Sequence, residues 1–128
     1  MTEWERHLGK AEEKFKSARI LFEHGQYADA VSRGYYAMYH SAKAVLSFKD
    51  IHPRRHAGVI SMFGLHFINE GYIEETYAKA LSRGEEHRSD ADYDIYYTAT
   101  KEEAEGVIRD AEAFLERIKK AIKEIQVK

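Results

Sequence analysis

The sequence predicts an all-α fold, an antiparallel bundle of about five helices. Three observations lead there. Apolar residues recur at spacings of three and four along five successive segments. No stretch alternates apolar and polar residues as strands do. The breaks between segments are short, which favours antiparallel neighbours. A length of 128 residues fits one domain over 1–128, with no internal repeat or low-complexity tract. The 44% apolar content and single proline argue against disorder.

Helix one is expected over about residues 3–24. Thr2 and Glu5 form a capping-box pattern. Trp4, Leu8, Ala11, Phe15, Ala18 and Phe22 make its stripe, and Gly25 supplies the stop. Helix two is expected from near Tyr27 to near Phe48. Val31, Tyr35, Met38, Ala42 and Val45 form one stripe, and Tyr36, Tyr39 and Leu46 widen it. A helix apolar most of the way round sits at the centre of a bundle. Its phenols and the His40 imidazole therefore carry polar tips towards the core, and each tip needs a partner.

Pro53 suits a first helical position, so helix three is expected over about 53–69 through Val59, Ile60, Phe63 and Phe67. Gly71 ends it. Helix four is expected over about 72–87 with Ile73, Tyr77, Ala80 and Leu81 inward. Residues 88–98 are polar, acidic and tyrosine-rich, and read as a structured loop. Helix five opens at Thr100, whose spacing to Glu103 repeats the capping box. Its stripe includes Ala104, Val107, Ala111, Phe114, Leu115, Ile118 and Ile122.

Composition narrows the function. The net charge of −2 gives no global basic field for nucleic acid, so RNA binding would need a local patch or an oligomer. The absence of cysteine excludes a disulfide scaffold, a thiolate nucleophile and a Cys-containing zinc site. Neither a signal peptide nor a membrane-spanning run is visible. A soluble, cytoplasmic protein without a membrane partner is expected. There is no Walker loop, no Gly-x-Gly-x-x-Gly and no nucleophile elbow, so no cofactor is expected.

The run Ser-Arg-Gly-Tyr-Tyr-Ala-Met-Tyr-His-Ser-Ala at 32–42 is followed by His56-Ala57-Gly58-Val59, Phe63 and Phe67. Then come Arg88-Ser89-Asp90-Ala91-Asp92-Tyr93 and the Ala111/Phe114 pattern. Together these residues resemble the HEPN domain family, across essentially the whole chain. The resemblance implies a four-to-five-helix bundle that commonly dimerises. It also implies, for small stand-alone members, work beside a minimal nucleotidyltransferase in two-component, toxin–antitoxin-like modules, with a cleft able to take nucleotide or RNA.

Many relatives are metal-independent endoribonucleases, with an arginine and a histidine separated by four to six residues. This chain departs from that motif. After a gap of four residues from Arg88 stands Tyr93, and from Arg83 a gap of only three leads to His87. The match is to the Arg-x-x-Ala-Asp-Tyr branch, in which nuclease activity is not implied. A related adenylylation motif also fails, because Ile95 stands where it needs a tyrosine.

The main expectation is therefore a homodimeric HEPN module acting with a nucleotidyltransferase. The alternatives are an endoribonuclease toxin and a purely structural adaptor. Arg83, His87 and Arg88 are the candidate catalytic residues. His could act as the base and Arg could neutralise charge on the phosphorane. The bland reading of Arg83 and His87 is a solvated helix end, where cations meet the negative pole.

Tyr36, His40, Asp92 and Tyr93 are the candidate ligand or loop network. Arg88 is expected to bond Asp90, Asp92, Asp94 or the Tyr36/His40 pair, pinning the loop. If the network opens onto a cleft, it is the best small-ligand pocket. His52, His56 and His66 invite a metal, but Pro53 intervenes and no His-Glu-x-x-His occurs, so none is expected.

Overall fold

The computed structural model describes residues 1–127. It contains helix α1 over Glu3–Glu23, α2 over Tyr27–Phe48, α3 over His56–Phe63, α4 over Glu75–Tyr93 and α5 over Lys101–Gln126. No strand occurs among the described residues, so the all-α bundle expected from the periodicity is what forms.

The local signals act where they stand. The Thr2 side chain accepts from the Glu5 backbone and the Glu5 carboxylate reaches back to Thr2, completing the capping box of α1. Gly25 adopts φ +74°, a left-handed conformation that costs glycine little, and α1 ends there. At α5 the box forms by half. Thr100 Oγ1 accepts from the Glu103 backbone at 3.1 Å, but the Glu103 carboxylate accepts from the Tyr97 hydroxyl instead.

Helix α2 is the axis of the bundle and packs against α1, α3, α4 and α5. It buries twelve of its 22 residues. Tyr35, Met38, Phe63, Phe114 and Ile118 are at most 1% exposed. Each such side chain removed from water contributes roughly 1.5–3 kcal/mol. The other helices reach α2 closely because two glycines allow it. A Cβ on Gly34 would come within 2.8 Å of Val107 Cγ1 on α5, and one on Gly84 within 2.7 Å of Met38 Cε and 3.3 Å of the Tyr35 ring. The missing side chain at Gly84 brings the C-terminal half of α4 down onto the tyrosines of α2.

Three sequence boundaries shift, one of them the start of helix four, which moves from about 72 to Glu75. Helix α3 begins at His56, not Pro53. Its last turn widens into a π-helical stretch over Gly64–Ile68 before the chain breaks towards Gly71. Such widenings often accompany functional sites. Residues 88–93 are not a loop but the last turns of α4. The reason is visible at Arg88, which meets Glu85 three residues back and Asp92 four residues on. These are helical spacings. The inward face of α4 continues Ala80, Leu81, Gly84, Arg88, with arginine where an apolar residue would sit. The apolar repeat breaks at Arg88, while the helix runs on to Tyr93.

Candidate functional site

The polar tips on α2 find their partners on α3, α4 and α1, in two separate clusters. The first centres on Arg88, which is 6% exposed. Its guanidinium bonds Glu85 and lies 3.6 Å from Asp92. It also stands over three phenol rings, at 5.5 Å from Tyr35 and 5.8 Å from Tyr36 and Tyr93. Burial works against its charge, but Glu85, Tyr36 and Asp92 hold it charged and raise its pKa.

Tyr35 lies 2.8 Å from His56 Nδ1, and Glu85 Oε2 is 3.6 Å from the same nitrogen. Burial first, and then Glu85, raise the Tyr35 phenol well above its usual range. The phenol therefore keeps its proton, and its hydroxyl shares a hydrogen bond with His56 Nδ1 whose direction follows the imidazole tautomer. Burial also lowers His56, more than Glu85 beside it raises it. Glu85 Oε2 and Arg88 Nε have no hydrogen-bond partner within the described residues. The cluster is thus charged and incompletely satisfied.

The second cluster centres on His40. Its Nδ1 faces His7 Nδ1 of α1 at 3.4 Å. Burial, then the charges of His7, Lys43, Lys14 and Lys10, push His40 down to about 4. Burial and Lys43 also lower His7. Both imidazoles are neutral at neutral pH.

A cleft of about 560 Å³ runs along this side between α1, α2 and the end of α4. Tyr36, His40 and Asp92 line it together, as do Lys14, Asp29, Ser32 and Arg33. Three of the four network residues expected from the sequence therefore meet at one opening. Tyr93, the fourth, is 76% exposed and touches the site through Arg88.

The partnering differs from the expectation. His40 bonds across to α1 rather than to residues 88–94. Of the three aspartates considered, Arg88 meets Asp92, whereas Asp94 accepts from the Tyr96 backbone.

Arg83 and His87 lie apart from Arg88. Arg83 donates to Asp110 of α5 at 3.0 Å, and His87 Nδ1 is 3.8 Å from Glu103. Successive positions on α4 thus divide these candidates between the α5 side and the α2 side. Among the described residues no group of three or more His, Cys, Asp or Glu side chains is placed to hold a metal ion. His52 turns to Glu3 and Asp50, and His56 to Tyr35.

Glu85, His7 and Lys14 were not read from the sequence as site residues. Glu85 at i−3 from Arg88 and the His7, Lys10, Lys14 spacing on helix one were the available signals.

The HEPN domain family model matches residues 4–122. The chain belongs to the HEPN domain family. It is 55% identical over 115 residues to "Putative toxin MJ0605" of Methanocaldococcus jannaschii, covering 90% of this chain and 85% of that protein. It is 35% identical over 118 residues to "Putative toxin MJ0142" of the same organism, covering 92% and 80%. Its fold is similar to that of TT1696 from Thermus thermophilus, with a TM-score of 0.82 at 16% identity over 94% of this chain and 99% of that one. The HEPN match spans both polar clusters. Among the described residues, no helix of this HEPN chain is long and apolar enough to cross a membrane.

Proposed function

We propose that this HEPN chain is a homodimeric module that works beside a minimal nucleotidyltransferase in a two-component, toxin-like pair, and that it binds nucleotide or RNA. The observation that carries the binding reading is the convergence of Tyr36, His40 and Asp92 on one cleft with Lys14 and Arg33. A cleft with an aromatic wall, cations and carboxylate acceptors offers what a nucleotide needs: a stacking face, phosphate partners and hydroxyl partners. The names of the two M. jannaschii relatives support the toxin-like role.

The dimer reading rests on surplus apolar surface. Tyr97 is tucked against Glu103 and Trp4 packs edge-on against Phe48. The exposed apolar residues that stand together in sequence are Tyr93, Ile95 and Tyr96, at 76%, 88% and 89% exposure. Aromatic clusters in water usually mark an interface, and two-fold dimers are the commonest closed form.

Light scattering of the purified protein should give twice the chain mass at micromolar concentration, and Ile95→Asp with Tyr96→Asp should give a monomer. A monomeric wild type removes the dimer. Fluorescence titration with AMP and with a short oligoribonucleotide should show saturable binding weakened by Tyr36→Ala. The absence of binding removes the nucleotide and RNA reading. A neighbouring gene for a minimal nucleotidyltransferase, with co-purification of the two products, is expected. Failure of the two to associate removes that partner.

A ribonuclease toxin using Arg83, His87 and Arg88 is the second reading, favoured by the names of the relatives. Against it, Asp110 already holds Arg83, and Arg88 is buried.

A further inference from the structure

The His40 end of the cleft has a charge pattern that narrows the ligand. Lys14 and Arg33 line the cleft with His40, and Lys10 and Lys43 also act on the imidazole. Lys10 is exposed and pairs with Glu13, while Lys43 stands 5.5 Å from the Tyr39 ring. The carboxylates on this side are Asp29 and Asp92 in the cleft, Glu13 on Lys10, and Glu3 at 4.0 Å from His7 Nε2, and His52 also acts on His7.

Lysines around the paired imidazoles repel a divalent cation and attract an anion. With His40 Nδ1 occupied by His7, the ring's other nitrogen, Nε2, is the one left to serve a ligand. Asp29 and Asp92 disfavour a bare phosphate but accept from hydroxyl groups. The pattern asks for a ligand that carries a strong anion and hydroxyl donors side by side.

We infer that this cleft takes a phosphomonoester borne on a ribose, with the phosphate held by Lys14, Arg33 and His40 and the sugar hydroxyls by Asp29 and Asp92, and that the His7–His40 pair takes up a proton as the phosphate binds. The inference rests on the nucleotide or RNA reading above and narrows it to a terminal phosphate. A mononucleotide and the phosphorylated end of an RNA strand share this chemistry. A phosphomonoester approaches two negative charges near neutral pH, against one on an internal diester. It therefore suits a site with two cationic side chains, Lys14 and Arg33, better. The proton uptake follows from the same field. The imidazoles are uncharged because burial and the neighbouring cations disfavour a further charge, and an arriving dianion offsets those cations.

Calorimetric titration of the full chain tests this with paired ligands: AMP against adenosine, and one oligoribonucleotide with a 5′-phosphate or a 5′-hydroxyl. Each phosphorylated ligand should bind at least about tenfold tighter than its partner, as expected for charge-assisted contacts of this kind. Repeating the titration in buffers of different ionisation heat should show proton uptake. Lys14→Ala and Arg33→Ala, both on accessible side chains, should abolish the phosphate preference. His40→Gln should abolish the proton uptake, with circular dichroism reporting that the fold is intact.

Preference in the AMP pair alone assigns the site to mononucleotides, and preference in the RNA pair assigns it to strand ends. Equal binding of the phosphorylated and hydroxyl forms overturns the inference while leaving nucleotide or RNA binding in place. Binding of none of the four ligands overturns both. A preference unchanged in Lys14→Ala and Arg33→Ala overturns the assignment to this cleft, and binding without proton uptake overturns the role of the histidine pair.

Discussion

The Tyr35 hydroxyl sits 2.8 Å from His56 Nδ1, joining the centre of α2 to the first residue of α3. Tyr35 is fully buried, so its hydroxyl has no water to fall back on. His56 in turn lies 4.5 Å from the Tyr39 ring and 3.6 Å from Glu85. Tyr35→Phe keeps the ring and removes the hydroxyl and its hydrogen bond. It should lower stability by about 1–2 kcal/mol, the usual cost of losing a buried hydrogen bond. Urea denaturation curves that overlay wild type would show that the contact holds nothing.

Arg88 makes a stronger demand. It is the only buried arginine among the described residues, and it faces Glu85, Asp92 and three phenols. Removing it leaves the partly buried Glu85 carboxylate without its partner. Arg88→Ala should destabilise the fold by about 3 kcal/mol, within the range for breaking a buried pair. Arg88→Lys should recover only part of the loss, because one ammonium cannot serve both carboxylates through a planar fork. A melting temperature equal to wild type for Arg88→Ala would deny Arg88 a structural role and shift weight to ligand binding.

Gly34 tests the approach of α5. A methyl group there would meet Val107 Cγ1 at 2.8 Å, and Val107 is itself 4% exposed. A short branched side chain on a packed helix cannot swing aside, so α5 must move. Overpacking of this kind costs roughly 1–3 kcal/mol, against about 1 kcal/mol gained from helix propensity. Gly34→Ala should therefore destabilise, whereas Gly9→Ala, with nothing within 4 Å, should be neutral or stabilising. Thermal melts of the two variants give the comparison, and equal shifts would remove the packing argument.

The stripes that placed these helices were legible because each repeats an apolar spacing many times. Tyr35, Met38, Phe63, Phe114 and Ile118 could be assigned to the core before any coordinates. Arg88 was singled out in the sequence, yet its setting was not, because a charged residue on a buried helix face breaks the pattern that marks the face. The end of α4 accordingly looks like loop in the sequence and is helix in the fold. The cleft was half legible. Tyr36, His40 and Asp92 stood out as polar groups in unusual places. Lys14 and His7 did not, because they sit on an ordinary amphipathic helix. Their value comes from the packing of α1 on α2, which no local pattern records.

The half-buried imidazoles make stability depend on pH. His40 sits at about 4 in the folded chain, below the ordinary histidine value of ~6.5. The unfolded chain therefore binds the proton first as the solution is acidified. Stability is full above the ordinary value, falls as the pH drops towards about 4, and levels off below it. His7, also lowered, acts in the same direction. His40→Gln should flatten the curve of melting temperature against pH across this interval. A variant as acid-sensitive as wild type would place the sensitivity elsewhere.

Catalysis gives the last prediction. A metal-independent ribonuclease needs a base within reach of the 2′-hydroxyl and a cation at the phosphate. At the position of the family's histidine stands Tyr93. An ordinary phenol titrates near ~10 and is a poor base at neutral pH. His87 is the substitute nearest in sequence, and its Nδ1 faces Glu103 at 3.8 Å, while Arg83 is held by Asp110 at 3.0 Å. Glu103 leaves His87 Nε2 available as a base, but Arg83 could meet a phosphate only by giving up Asp110. Arg88 is buried on the other side of α4 and cannot join them without unfolding the helix end. Incubation of the isolated protein with total RNA in EDTA should therefore give little or no cleavage. Residual activity, where present, should fall in His87→Ala and persist in EDTA. Robust cleavage lost in His87→Ala would establish the ribonuclease toxin in place of the binding module, and cleavage untouched by that change would place the activity outside these residues.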